Sequence, residues 1–514
     1  VTQGLPTLGR ALAASPAFRA RRDLAVPAPE LLELPEKAVQ FGTGAFLRGF
    51  VDFFLDAANR AGRFGGRVVM VGSTGSGRDQ TVNDQDGLYT LSVQGIADGA
   101  PRREHRVVAS VSRALSAADE WPAVLACARA PELELVFSNT TEVGIALDEE
   151  DRADMDPPRS FPGKLARFLY ERARAFEFDP ARGVVVLPCE LIEDNGDRLR
   201  GIVLALAERW GLGDEFAEWI RESVPFCNTL VDRIVPGAPA GAQREEIVAE
   251  LGYEDALLTA CEPYRLFAIQ ADGPVRERLG FAAADPGVVL TGDVGPFRER
   301  KVRLLNGAHT VTVSAALLAG CATVREAVEH EAVGRLLRRA LFEEIAPFVE
   351  APGADRFARE VLDRFANPYV QHALWDITLQ ATMKMRVRVV PSILQYAART
   401  GRAPESLAFG FAAYLRFMRG DLQAARREAG LPVPADDQGE RIRGLWSALP
   451  DASPGALRAL ARAACADADT WGADLAAVPG FAEAVADALE HVHREGVPAA
   501  LEAHLAAHAA APAR

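Results

Sequence analysis

The run Arg300-Lys-Val-Arg-Leu-Leu-Asn-Gly-Ala-His309 carries three side chains that together suit carbonyl reduction: Lys301, Asn306 and His309. At about 100° per residue on an α-helix, Asn306 falls about 140° and His309 about 80° from Lys301, so all three project within one broad arc. A partly desolvated ammonium can give up a proton and take it back, an amide can stabilise a developing oxyanion, and an imidazole can orient the substrate. Of the 57 basic residues only four are lysines, at 37, 164, 301 and 384. Guanidinium does not deprotonate in proteins, so a chain that favours arginine has reason to keep lysine where a proton must move. The same triplet also fits a solvated lysine beside a capping asparagine and a packed histidine.

Two further groups are candidates for binding. Arg364, Asn367, His372, Lys384, Arg386 and Arg388 gather basic side chains around Arg364-Phe-Ala-Asn-Pro368 and Met383-Lys-Met-Arg-Val-Arg388. Such a set can hold a carboxylate through bidentate arginine, or can form a solvated helix face. Asn228 precedes an apolar run with a charge pair at Asp232 and Arg233, which is either architectural or part of a site.

The elements that must position these residues follow from periodicity. Ala38 to Phe41 reads as a strand, Gly42-Thr-Gly44 as a tight turn and Phe46 to Arg60 as an amphipathic helix; a second apolar run, Arg67 to Val71, completes a β-α-β unit. The turn lets backbone approach a pyrophosphate at a helix N-terminus, so Gly42, Gly44, Phe46 and Leu47 are candidate cofactor contacts, with Leu47 in place of the usual third glycine. The acid that normally ends the second strand is missing. Ser73, Thr74 and Arg78 stand there instead and suit a 2′-phosphate, so NADP is admitted beside the expected NAD, unless the segment is a flexible glycine loop that touches neither. Ser138-Asn-Thr-Thr-Glu142 follows a strand at Leu133 to Phe137, which makes Asn139, Thr140 and Thr141 candidates for the nicotinamide ribose.

Strand signals at Gly183 to Leu187 and helical segments at Lys164 to Phe176 and Leu199 to Trp210 extend the alternation, which predicts a mostly parallel sheet. Beyond about residue 300 the pattern is helical throughout. The expected organisation is α/β: a terminal extension over 1–30, a Rossmann-type parallel sheet domain over 31–285 and a mainly α-helical substrate and catalytic domain over 286–514. Residues 1–22 hold four arginines and no acid, and the extension is expected to fray.

Composition bounds the partners. The net charge of −14 argues against a general affinity for nucleic acid, which needs a basic face. The longest apolar stretch, near 311–322, is short of the ~20 residues of a membrane span. Six cysteines without C-x-x-C spacing and eight scattered histidines point to reduced thiols, no metal site and a cytoplasmic setting. The expected partner is a small molecule, an anionic one included because a few arginines in a cleft can outweigh the global charge, bound by a monomer or small homo-oligomer.

The motifs Gln40-Phe-Gly-Thr-Gly-Ala-Phe-Leu-Arg48, Gln85-Asp-Gly-Leu-Tyr89, Phe137-Ser-Asn-Thr-Thr-Glu142, Pro188-Cys-Glu-Leu-Ile192 with Asn195-Gly-Asp197, Thr229-Leu-Val-Asp-Arg-Ile-Val235 and Arg300 to Thr310 together resemble the mannitol dehydrogenase family of long-chain polyol dehydrogenases, over about Val39 to Leu489. The resemblance implies a metal-free nicotinamide-dependent oxidoreductase acting on a polyol or a hexulosonate. It implies Lys301 as general acid/base, Asn306 on the reacting oxygen, His309 on substrate, and Asn228 as a second oxyanion contact where uronate-acting relatives can carry serine. A nicotinamide-binding regulator without turnover would be expected to have lost the lysine.

Overall fold

The computed structural model describes residues 4–72, 77–140 and 144–508. Two compact units emerge: Val1–Gly95 with Pro101–Val294, and Ile96–Ala100 with Gly295–Arg514.

The first unit is built on five parallel strands, β1 (Glu36–Phe41), β2 (Arg67–Gly72), β3 (Val111–Ser116), β4 (Leu135–Ser138) and β5 (Val185–Pro188), in the order β3-β2-β1-β4-β5. Ala38, Met70, Phe137 and Leu187 face one core cluster, and Val39, Val71, Val136 and Val186 face the other. Both faces are covered, which is why these strands read as continuous apolar runs rather than as alternation. Trp121–Ala128, Phe161–Ala175 and Asn195–Arg209 cover one face with Trp121, Leu165, Phe168 and Leu199. Helix Val51–Arg60 covers the other with Phe53, Phe54, Leu55 and Ala58. The order reverses on either side of β1, so the crevice for a ligand in such a sheet lies beyond the carboxyl ends of β1 and β4.

Several features differ from the sequence reading. The single helix expected from Phe46 to Arg60 is two, Ala45–Gly49 and Val51–Arg60, broken at Phe50, whose ring stacks 5.0 Å from Phe46. Two smaller sheets accompany the main one. Leu24–Ala25, Ala100–Val108, Tyr89–Ala97 and Thr259–Cys261 form the first, and Val288–Thr291, Leu266–Gln270 and Thr229–Asp232 the second. Residues 4–30 do not fray. Leu8, Phe18 and Leu24 are buried against Val107, Ile247, Leu251 and Tyr253, while Arg10 pairs with Glu33 at 2.7 Å and Arg21 pairs with Asp23. Apolar burial outweighs the local excess of basic residues.

The second unit is helical. Its helix Glu405–Phe417 is buried along most of its length and packs against Ala308–Leu318 and Phe481–Glu495. Among the described residues three segments are π-helical: Lys301–Gly307, Ala340–Ile345 and Met385–Val389. No helix is long and apolar enough to cross a membrane.

Candidate active site

Lys301 opens the first π-helical segment, and Asn306 lies inside it. A π-helix closes i→i+5 hydrogen bonds, so residues five apart lie about one turn above each other. Lys301 and Asn306 therefore share a face more closely than the α-helical arc expected from sequence would allow. The segment is pinned on both sides of the lysine. Arg300 donates to Pro352 O at 2.6 Å and lies over Phe357 and Phe297, 4.7 and 5.2 Å from the ring centroids. Arg303 donates to Ser392 Oγ at 2.6 Å and to Gln395 Oε1 at 2.8 Å. Both guanidiniums are buried, and their partners compensate part of the desolvation cost. A second π-helical segment, Met385–Val389, packs against the first. A Cβ on Gly307 would stand 3.0 Å from Arg388 O, so glycine permits this backbone-to-backbone approach.

The carboxamide of Asn306 has no hydrogen-bond partner among the described residues. His309 stacks on Phe365 at 4.7 Å and meets His372 edge-on at 5.0 Å, and its buried Nε2 has no hydrogen-bond partner. Burial holds its pKa well below the ordinary histidine value, and the positive field of His372, Arg388, Lys384 and Arg364 pushes the same way. His309 is thus a neutral imidazole with one nitrogen to offer. Around it, Arg364 is buried, Lys384 donates to Ile377 O at 3.0 Å, and Arg388 donates to Thr310 Oγ1 at 3.4 Å. Burial lowers the pKa of His372, Lys384 and Arg388 as well. Neither Lys384 nor Arg388 has a carboxylate partner among the described residues. Asn367 accepts the amide of Tyr369 at 3.0 Å.

In the first unit the candidates lie at the carboxyl ends of the strands. Gly42 has φ +137°, and a Cβ there would meet Leu47 Cδ1 at 2.9 Å and Asn139 O at 3.3 Å. Leu47 fills the space beside this turn. Gly44 caps helix Ala45–Gly49, and nothing lies within 4 Å of the place its Cβ would take, which leaves open backbone where a diphosphate can approach. These residues fit a dinucleotide. Phe46 is half-buried on Phe50. Arg78 is exposed at the start of helix Arg78–Asp84. Ser73, Thr74 and Thr141 lie outside the described residues.

The loop after β4 is tied to the loop after β5. Asn139 donates to Cys189 O at 2.8 Å, and Thr140 gives both its amide (2.9 Å) and its hydroxyl (3.0 Å) to Glu190 Oε1. Ser138 donates to Glu190 Oε2 at 3.0 Å. Asn195 then bonds Pro188 O, Glu190 O and Thr229. Asn228 donates to Asp197 Oδ2 at 2.8 Å and Gln270 Oε1 at 3.2 Å, and accepts the amide of Asp197 at 3.0 Å. Sequence reasoning gave no role to Glu190, although it lies two residues past a strand, as Thr140 does.

Residues 36–281 match the model for the mannitol dehydrogenase Rossmann domain, and residues 293–493 that for the mannitol dehydrogenase C-terminal domain. Altronate oxidoreductase of Bacillus subtilis (strain 168) is 41% identical over 470 residues, 91% of this chain and 95% of that one. Altronate oxidoreductase of Pectobacterium atrosepticum is 38% identical over 476 residues, covering 91% and 97%. Two solved structures share the fold. Pseudomonas fluorescens mannitol 2-dehydrogenase, in a ternary complex with NAD and D-mannitol, has a TM-score of 0.66 at 24% identity and covers 97% of this chain and 99% of its own. A substrate-free D-sorbitol dehydrogenase has a TM-score of 0.72 at 23% identity, covering 96% and 100%. With both domains matched in order and relatives aligned almost end to end, the chain belongs to the mannitol dehydrogenase family of oxidoreductases.

Proposed function

We propose that the chain interconverts a hexulosonate and its sugar acid, reducing tagaturonate to altronate, with NAD as the cofactor and NADP also admitted. The observation that carries the acid specificity is the pair of partly buried cations, Lys384 and Arg388, that form no ion pair among the described residues, with only the more distant Asp436 acting on Lys384, and that stand beside neutral His309. A substrate carboxylate supplies the missing countercharge, and bidentate pairing with Arg388 fixes its orientation. Names of the relatives favour the same substrate class.

A bound nicotinamide cofactor supplies the hydride in reduction and accepts it in oxidation. Asn306 donates its unspent N–H to the ketone oxygen as negative charge grows there. Lys301 gives that oxygen its proton, and in the reverse direction the neutral amine takes it away. His309 offers Nε2 to a substrate hydroxyl. The six cysteines are free and buried, which suits a reducing cytoplasm.

Initial rates with NADH and NADPH against tagaturonate, fructuronate and fructose test the reading. A substrate without the carboxylate leaves the cations unpaired, so kcat/KM for tagaturonate is expected to exceed that for fructose by at least about 100-fold. Equal rates with the two would overturn the acid specificity, and faster fructuronate turnover would reassign the sugar.

A further inference from the structure

We infer that Glu190 is a positioning residue whose buried negative charge makes this chain bind the oxidised nicotinamide cofactor in preference to the reduced one. This rests on the dinucleotide reading above and goes beyond it.

Glu190 is 2% exposed and sits just past β5, beside the strand-end loop of β4. Both of its oxygens receive donors: Oε1 takes the amide and hydroxyl of Thr140, and Oε2 the hydroxyl of Ser138. The Thr140 N–H can only donate, and an ionised carboxylate can accept from it and from both hydroxyls at once, so the arrangement accommodates the charged form. Burial raises its pKa above the ordinary glutamate value, and the hydrogen bonds from Thr140 and Ser138 pull it back toward the charged form. No lysine or arginine forms an ion pair with Glu190 among the described residues. The charge is therefore uncompensated locally, in a low-dielectric setting where its field reaches further than in water.

The loop it holds, Ser138–Thr140, ends β4 at the crevice where the sheet order reverses, the place for the nicotinamide end of a dinucleotide. The nicotinamide ring is cationic when oxidised and neutral when reduced. A fixed carboxylate behind the loop therefore stabilises one redox state and leaves the other nearly untouched, whereas loop positioning alone affects both equally.

Binding of NAD+ and NADH to the full chain, by calorimetry and by NADH fluorescence, separates these effects without turnover. In Glu190→Gln the dissociation constant for NAD+ is expected to rise about tenfold more than that for NADH, a coupling of ordinary size for one nearby charge. Glu190→Asp should weaken both cofactors while keeping their ratio. Ser138→Ala and Thr140→Val remove donors but leave the charge, and should hold the ratio within about twofold. Equal weakening of both cofactors in Glu190→Gln would overturn the proposal, leaving Glu190 a scaffold residue. A tenfold change of ratio in either charge-conserving variant would overturn it too, and this arm stands even if Glu190→Gln does not melt cooperatively. A wild-type chain that binds neither NAD(H) nor NADP(H) would instead remove the dinucleotide reading itself.

Discussion

Asn228 in the first unit gives its carboxamide to Asp197 and Gln270 and takes the Asp197 amide, whereas the carboxamide of Asn306 in the second has no hydrogen-bond partner among the described residues. The contrast extends to their surroundings. Around Asn228 the polar groups of Ser138, Thr140, Glu190, Asn195 and Thr229 are committed to one another. Around Asn306, His309 keeps an unpartnered Nε2, and Lys384 and Arg388 form no ion pair among the described residues. Groups that bond one another build a scaffold, and leaving such groups unpaired costs stability. Groups held ready but unbonded are already desolvated for a ligand, which is the form that electrostatic preorganisation takes.

The comparison predicts opposite phenotypes for two chemically identical changes. Lys301→Ala should lower turnover about 10²–10⁴-fold, the range for a lost general acid. Asn306→Ala should lower kcat about 10²–10³-fold with little change in melting temperature, since no protein partner is stranded. Asn228→Ala strands Asp197 and Gln270, and should cost about 1–3 kcal/mol of stability. Steady-state rates paired with thermal melts decide the matter. If Asn228→Ala melts like wild type while losing turnover as Asn306→Ala does, the division between scaffold and reacting groups is wrong.

Asp52 is the exception within the scaffold, and it sharpens the contrast by pH. It lies under the glycine turn, where Gln40 donates to Gly42 O at 3.2 Å and to Asp52 Oδ2 at 3.4 Å, yet Asp52 Oδ1 and Gln40 Oε1 have no donor. Burial raises its pKa from 3.8 to about 7, against the opposing pull of Gln40, Arg48 and Tyr89. The folded state then holds its proton more tightly than the unfolded chain. Its contribution to stability is complete below the unfolded value and is lost as pH rises toward about 7. At 1.36 kcal/mol per unit this is at most about 4 kcal/mol. Asp52→Asn keeps the shape without the charge, so it should be more stable than wild type at pH 8, with the gain disappearing near pH 4. Denaturant midpoints across that range measure it. A difference that does not vary with pH would show that Asp52 does not titrate there.

Much of the first unit was legible because a parallel sheet covered on both faces leaves continuous apolar runs, as at Leu135 to Phe137 and Val68 to Val71. The small sheets were not. Ala100–Val108 reads Ala-Pro-Arg-Arg-Glu-His-Arg-Val-Val, and its first residues are mostly exposed, so no apolar alternation announces a strand. The folding of residues 4–30 depends on Ile247, Leu251 and Tyr253, far along the chain, and no local pattern reveals that. At the candidate site, lysine scarcity and local spacing singled out Lys301, Asn306 and His309. The π-helical turn that stacks the first two was hidden, because a one-residue widening of the hydrogen-bond ladder leaves no mark on composition. Glu190 was hidden for another reason: its partners Ser138 and Thr140 are about 50 residues away and meet it only through sheet order.

Gly307 gives the smallest expected effect and the finest test of the unspent half. It ends the Lys301–Gly307 segment, where an alanine Cβ would come within 3.0 Å of Arg388 O and 3.4 Å of Val302 O. Both obstacles are backbone, which yields less readily than a side-chain tip. Alanine is favoured over glycine in a helix by about 1 kcal/mol, which offsets part of the clash. Gly307→Ala should therefore change global stability by less than about 1 kcal/mol while moving Arg388 away from its contact with Thr310. The consequence should appear as a rise of about three- to tenfold in KM for the acidic substrate, with kcat and the dissociation constant for NADH almost unchanged, because a small shift of a charged contact costs about 1 kcal/mol. A fall in kcat with KM constant would mean that the two π-helical segments align Lys301 and Asn306 rather than the carboxylate clamp, and the groups left unspent would then have to be divided differently.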